Sequence, residues 1–315
     1  MKVAVFGAGA VGSYLGSRLA AARADVHLIA RGAHLEALRE RGLTLITPDG
    51  VTTSPVWATD DPSSIGPVDL VLFCVKSYDT EAVARSLAPL VGPTTAVLSI
   101  QNGIDNEPKI AAVIGPGHVL GAAVYVLASV ESPGVVRSGP ARLFVGELEP
   151  GRPSKRVIEI VELAQTGGLQ ATAVADVRIA KWEKYTVLVA FSAVSAATQL
   201  PMGDIRRASA TVAMLRGVMT EAWTVGRKLG IPLGEDLVDR QIELLLSQSN
   251  SAGASLRHDL MTGHRMELEA LQGTLSRLGD ETGVPTPWTD AAYAILQPWA
   301  IRNERLVADR TTITA

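Results

Sequence analysis

Lys2-Val3-Ala4-Val5-Phe6-Gly7-Ala8-Gly9-Ala10-Val11-Gly12 stands at the start of the chain, and this run decides the fold. The first five residues read as a buried strand, a glycine-rich turn follows with no spacer, and Ala10 to Arg23 continues at helical spacing. A dinucleotide pyrophosphate needs that placement. Gly7 permits the tight turn, Gly9 lets the backbone approach a phosphate, and Gly12 lets the helix pack closely on the strand. The unpaired N–H groups at the helix start then face the phosphates. Gly7, Ala8, Gly9, Ala10, Val11 and Gly12 are therefore the expected cofactor loop. A bare Gly-x-Gly-x-x-Gly is weak evidence, but here a second strand, Val26 to Ala30, arrives at the spacing of a Rossmann fold.

The end of that second strand discriminates between the two nicotinamide dinucleotides. A carboxylate there would accept hydrogen bonds from a ribose 2′-hydroxyl and repel a 2′-phosphate. The chain has Leu28-Ile29-Ala30-Arg31-Gly32 instead. The Arg31 guanidinium suits a phosphate through charge and two-pronged hydrogen bonding, which favours NADP(H). The bland alternative for Arg31 is a solvated surface charge.

Working outward, near-continuous apolar runs at Val68 to Val75 and Ala96 to Ile100 flank a helical stretch, Thr80 to Leu90. Uninterrupted apolar strands between helices predict a doubly wound parallel sheet covered on both faces. Leu43 to Trp57, with Pro48-Asp49-Gly50 in its middle, reads as an inserted hairpin. Val119 to Ala128, Val135-Val136 and Leu143 to Val145 read as an antiparallel meander finishing the sheet. Pro153 to Gly167 reads as a helix and Leu169 to Val174 as a last strand. Every later segment is helical in pattern: Asp176 to Thr198, Ser209 to Leu229, Glu235 to Ser247, Ala254 to Met261, Met266 to Glu281 and Thr289 to Arg302. The expected division is thus a dinucleotide-binding domain over 1–175 and an all-helical domain over 176–315, the latter for substrate and dimerisation.

The bulk numbers agree with a soluble globular chain of 315 residues, 47% hydrophobic and 19% charged. A net charge of −3 gives no electrostatic case for nucleic acid or an anionic membrane as partner. No apolar stretch reaches the ~20 residues of a membrane span, and no leader pattern precedes the first strand. Cys74, the single cysteine, excludes an internal disulfide and sits in an apolar run as a small hydrophobe. His258 and His264 match no ligand spacing, so no metal is expected. A cytoplasmic protein follows, and a homodimer through the helical domain is compatible with its apolar surface.

Two loops leave the C-terminal edge of the expected sheet, where doubly wound folds bind ligands. They carry Val75-Lys76-Ser77-Tyr78 and Gln101-Asn102-Gly103. Lys76 could equally be solvated, and Asn102-Gly103 a plain turn. In the helical half, Lys184 is the last charged residue before a long uncharged stretch. Desolvation there would lower its pKa towards a general-acid range; the alternative is a lysine reaching back to solvent. Glu267, between apolar residues at a helix start, is either a dipole-favoured capping carboxylate or part of a site.

Together these segments resemble the ketopantoate reductase (2-dehydropantoate 2-reductase) family over essentially the whole chain. The resemblance rests on the glycine loop, Val75-Lys76, Gln101-Asn102-Gly103, Gly139-Pro140-Ala141-Arg142, Trp182-Glu183-Lys184, Ser255-Leu256-Arg257-His258-Asp259 and Glu267. It implies a helical domain like that of 6-phosphogluconate dehydrogenase and NADPH-dependent reduction of a small 2-oxo acid, in pantothenate biosynthesis. It implies further that Lys184 donates a proton to the substrate carbonyl, and that Glu267 organises the site and touches the cofactor ribose. Lys76 and Asn102 would contact cofactor, Asn102 also substrate, Ser255 the substrate carboxylate, and Arg31 the 2′-phosphate. One departure stands out. The family pattern places asparagines four and eight residues after the lysine, where this chain has Leu188 and Ser192. Leu188 cannot hydrogen-bond, and Ser192, still expected to contact substrate, reaches less far than asparagine, so substrate identity carries over less firmly than chemistry. The other readings are a reductase of a different carbonyl compound and a non-catalytic NADP(H) sensor.

Overall fold

The structure, a computed structural model, describes residues 1–313. Twelve strands and twelve α-helices are described. The strands are β1 (Lys2–Phe6), β2 (Asp25–Ile29), β3 (Leu43–Thr47), β4 (Gly50–Ser54), β5 (Trp57–Thr59), β6 (Val68–Phe73), β7 (Val91–Ser99), β8 (Val119–Tyr125), β9 (Ala128–Ser132), β10 (Val135–Ser138), β11 (Arg142–Glu147) and β12 (Gln170–Ala173). The helices begin with α1 (Ala10–Ala21), α2 (Gly32–Arg41), α3 (Thr80–Ala84), α4 (Asn106–Ile114), α5 (Lys155–Thr166) and α6 (Val177–Thr198). They continue with α7 (Met202–Ile205), α8 (Ser209–Lys228), α9 (Leu237–Leu246), α10 (Ser255–Thr262), α11 (Thr274–Thr282) and α12 (Pro287–Ile313). By internal contacts the chain divides into two units: Met1–Gln101 with Asp105–Ala180, and Asn102–Ile104 with Lys181 onward.

The first unit is built on an eight-stranded sheet of order β12-β11-β8-β7-β6-β1-β2-β5. Its strands from β5 to β8 run parallel, while β11 pairs antiparallel to β8. Alternation along β1 explains both layers. Val3 and Val5 join a core with Tyr14, Leu15 and Leu19 of α1 and Val157, Ile160 and Val161 of α5. Ala4 and Phe6 join the opposite core with Val83, Leu87 and Ile110. The strand is buried on both sides, which is why its sequence is apolar at every position after Lys2.

Three expectations need correction. The meander does not all finish the sheet: β9 and β10 leave it and form a four-stranded sheet of order β4-β3-β10-β9 with the inserted hairpin. The sequence pattern marks Val135-Val136 as strand but not β9 over Ala128–Ser132, and it carries no information on which edge each strand would join. The helix expected over Thr80 to Leu90 is α only to Ala84 and continues as a 3-10 turn, Arg85–Leu90. Pro89 lies inside that turn, where its ring blocks α-geometry and supplies no donor. The last long helix starts at Pro287, since proline suits a first helical turn whose N–H groups have no partner anyway. The next two of those N–H groups, from Trp288 and Thr289, donate to the buried Glu221 carboxylate at 2.8 and 2.9 Å.

At the far edge of the first unit, Glu147 at the end of β11 faces the start of α5. Arg156 donates to both of its oxygens, at 2.8 and 2.5 Å, and Ser154 Oγ donates at 2.6 Å. These bonds hold the Glu147 carboxyl below the usual carboxylate range, the Arg156 guanidinium being the larger cause. A depressed pKa contributes stability above the unfolded value of about 4.3, lost as pH falls through the folded value. Glu147→Gln is expected to cost about 1.5–3 kcal/mol at neutral pH. In denaturant titrations the gap to the parent should close as pH falls through the acid range.

Candidate functional site

The glycine loop is fixed by what its glycines touch. Gly7 has φ +94°, and a Cβ on it would lie 2.9 Å from the Val75 backbone nitrogen. On Gly12 a Cβ would fall on the Gly7 carbonyl oxygen and reach Val5 and Cys74. Gly9 is different: a Cβ there meets nothing within 4 Å. The two outer glycines thus seat α1 on the sheet, and the middle one opens the loop to an incoming group. Gly7 and Ala8 spend their N–H groups on the Ile29 carbonyl, at 3.3 and 2.9 Å. The first intrahelical bond runs from Ser13 N to Gly9 O at 2.9 Å. The N–H groups of Ala10, Val11 and Gly12, at the start of α1, are those a helix leaves for an anion. A pyrophosphate fits this cradle.

Neighbouring strand ends are tied to it. Cys74 N donates to Phe6 O at 2.8 Å, Ile100 N to Phe73 O at 3.0 Å and Ala30 N to Thr59 O at 3.0 Å. The loops after β1, β2, β6 and β7 therefore leave one sheet edge in fixed register. Arg31, at the cap of α2, and Lys76, at the cap of the 3-10 turn Ser77–Asp79 that follows β6, are both exposed there. Burial pushes the Cys74 thiol far above its usual range, which leaves an unreactive packing residue.

Two polar assemblies under these loops escape a sequence reading. The Thr80 hydroxyl contacts Ser77 O at 2.8 Å and Asn106 Oδ1 at 3.0 Å, and accepts from Gln101 Nε2 at 2.7 Å. All three side chains, Thr80, Asn106 and Gln101, are buried. Second, Ser13 Oγ donates to Ala8 O at 2.9 Å and meets His34 Nε2 at 3.5 Å, while Gly134 N donates to His34 Nδ1 at 3.1 Å. Burial lowers the His34 pKa, consistent with a neutral ring whose Nδ1 accepts. Thr80, Asn106 and His34 each stand singly at a helix start, where a polar residue suggests only a cap.

In the second unit Lys184 and Asn102 come together: Lys184 Nζ donates to Asn102 Oδ1 at 2.8 Å across 82 residues of chain. Lys184, Leu188 and Phe191, spaced along α6 as one helical stripe, are half-buried. Ser192 is fully buried, and its hydroxyl has no hydrogen-bond partner among the described residues. Glu267 is 6% exposed and stands just before a π-turn, Glu269–Gly273, that leads into α11. Ser255 is exposed at the first position of α10.

A parallel sheet with a glycine cradle at its edge and a helical unit carrying a lysine held by an asparagine define a nucleotide-dependent oxidoreductase. Residues 3–150 match the family described as ketopantoate reductase PanE/ApbA, and residues 176–300 match its C-terminal counterpart. The chain belongs to the ketopantoate reductase family. It is 33% identical to a 2-dehydropantoate 2-reductase of Mesorhizobium japonicum, covering 96% of this chain and 99% of the relative. It is likewise 33% identical to one of Halobacterium salinarum, covering 91% and 95%. The crystal structure of a PanE/ApbA family ketopantoate reductase from Ralstonia eutropha superposes with TM-score 0.89 at 35% identity, over 96% of this chain and 100% of that one. Among the described residues no helix is long and apolar enough to cross a membrane.

The glycine geometry makes a paired prediction. Gly12→Ala should cost about 1–3 kcal/mol, because backbone must move to admit the methyl group. Gly9→Ala should stay within about 0.5 kcal/mol of the parent. Chemical denaturation of the two variants side by side checks the difference.

Proposed function

We propose that the chain reduces 2-dehydropantoate to pantoate with NADPH, and that Lys184 is the general acid. The observation that carries this reading is the Lys184–Asn102 bond of 2.8 Å on the half-buried stripe of α6. The names of the relatives support the substrate. A bound nicotinamide supplies the hydride; the residues of the chain supply orientation and a proton.

In this reading the first unit is the dinucleotide-binding domain. Ala10, Val11 and Gly12 offer N–H groups to the pyrophosphate beside the opening at Gly9, Arg31 takes the 2′-phosphate, and Lys76 contacts the cofactor. The helical unit serves the substrate. Asn102 fixes the Lys184 ammonium by one of its three N–H bonds, so that its proton is aimed at the carbonyl oxygen as negative charge develops there. Ser255, in the first turn of α10, receives the substrate carboxylate with the helix N-terminus behind it. Glu267 organises the site and meets the cofactor ribose. Leu188 and Phe191, rather than the enclosed Ser192, give the stripe beside Lys184 its apolar surface. The same reading makes the protein a cytoplasmic homodimer that acts on a small 2-oxo acid, with neither nucleic acid nor membrane as partner.

The direct test mixes purified protein with NADPH and 2-dehydropantoate and follows loss of reduced-nicotinamide absorbance. Lys184→Ala is expected to lower kcat by about 10²–10⁴, and full turnover in that variant would remove the proposed acid. Arg31→Ala is expected to raise KM for NADPH by about 10-fold or more while leaving KM for NADH unchanged, as loss of a charge-assisted phosphate contact requires. Parallel titrations with the two cofactors check it.

A further inference from the structure

The segment that carries Glu267 does not enter its helix as an ordinary α-turn. Gly273 N donates to Leu268 O at 3.1 Å, five residues back, and the Thr274 hydroxyl donates to Glu269 O at 3.0 Å. This π-turn, Glu269–Gly273, holds one more residue than an α-turn and passes into α11 directly. Such turns are rare, pack less well than α-geometry, and concentrate at functional positions.

Two side chains hold the turn against α6. The Tyr185 hydroxyl donates to Leu271 O at 2.6 Å, and Gln272 Nε2 donates to Val189 O at 2.8 Å. Tyr185 is 1% exposed and Gln272 0%, so water cannot replace either bond. A lost partner would leave a buried polar group unpaired. The first bond starts one residue beyond Lys184 and ends four residues beyond Glu267. It therefore links the segment that bears Lys184 to the one that bears Glu267.

We propose that Tyr185 and Gln272 are positioning residues, whose bonds to the π-turn fix the register of the Glu267 segment on α6 and hence the place of Glu267 relative to Lys184. The proposal rests on the reading of Lys184 and Glu267 as working groups of the site. Tyr185→Phe removes only the hydroxyl and keeps the ring that stacks edge-on to Trp182 at 5.6 Å. Gln272→Met keeps the volume and removes the amide, and serves if the first variant does not fold.

Steady-state turnover of 2-dehydropantoate with NADPH, thermal melts and fluorescence titration of NADPH are measured for each variant. A misplacement near 1 Å lowers rate by up to about 10²-fold, so kcat is expected to fall about 10- to 100-fold. Because Glu267 also meets the cofactor ribose in this reading, NADPH affinity is expected to weaken by no more than it does in Glu267→Ala, and the fall in kcat should persist at saturating NADPH. The deciding comparison repeats Tyr185→Phe in a Glu267→Ala background at high enzyme concentration. If Tyr185 acts through Glu267, the loss seen in the parent background largely disappears in the variant one. Unchanged kcat in both single variants, or an undiminished loss in the Glu267→Ala background, overturns the proposal. If Lys184→Ala and Glu267→Ala themselves keep full turnover, the assignment of the reacting groups fails first, and the failures are told apart.

Discussion

The structure of the first unit depends on one close approach, that of Gly12 to the carbonyl oxygen of Gly7. No side chain larger than hydrogen fits between them. Because α1 can lie that close to β1, its next turn does the same: a Cβ on Gly16 would lie 2.9 Å from Leu28 and 3.1 Å from Val5. The seam of Gly12 and Gly16 thus presses the helix onto β1 and β2 at once. Gly7 must then turn with positive φ, and its N–H and that of Ala8 fall to the Ile29 carbonyl. The opening at Gly9 is a consequence, since the flanking residues are pinned and the loop can only bulge outward. Cradle and packing seam are one device.

The sequence made this half legible because its determinants are local. A strand, the three glycines of the loop and a helix lie within the first twenty-one residues, and parallel strands covered on both faces announce themselves as unbroken apolar runs. What was not legible is partner choice. Alternation marked Val135-Val136 as strand, yet β10 pairs with β3 and β9 in a separate sheet, a decision made by packing between residues nearly a hundred positions apart. Pro89 was visible, but a proline near the end of a helical pattern can terminate the helix or tighten it, and only the structure shows the 3-10 turn.

The candidate site divides in the same way. Lys184 and Asn102 were each recognisable as polar residues at the edge of apolar runs, but their bond joins positions 82 residues apart and has no sequence signature. Thr80 reads in the sequence as the start of a helix, and it is also the hub that ties Gln101 and Asn106 to the turn after Lys76. The π-turn leaves no mark in the sequence pattern. Leu268, Leu271, Leu275 and Leu278 fall three or four residues apart across the turn, so the apolar pattern of Met266 to Glu281 reads as one uninterrupted helix.

α6 combines a half-buried lysine with a rigid frame by presenting neighbouring residues to different surroundings. Consecutive side chains on an α-helix are separated by about 100°, so Lys184 lies on the half-buried stripe while Tyr185 turns into the core. One residue can then stay partly accessible while the next is locked by a buried bond to Leu271. The covalent backbone between them transmits that rigidity with no linking side chain. A lysine on a loop would need its own anchors, each costing side-chain entropy. On α6 the anchor is the adjacent residue, and the placement of Lys184 follows from the packing of the helix that bears it.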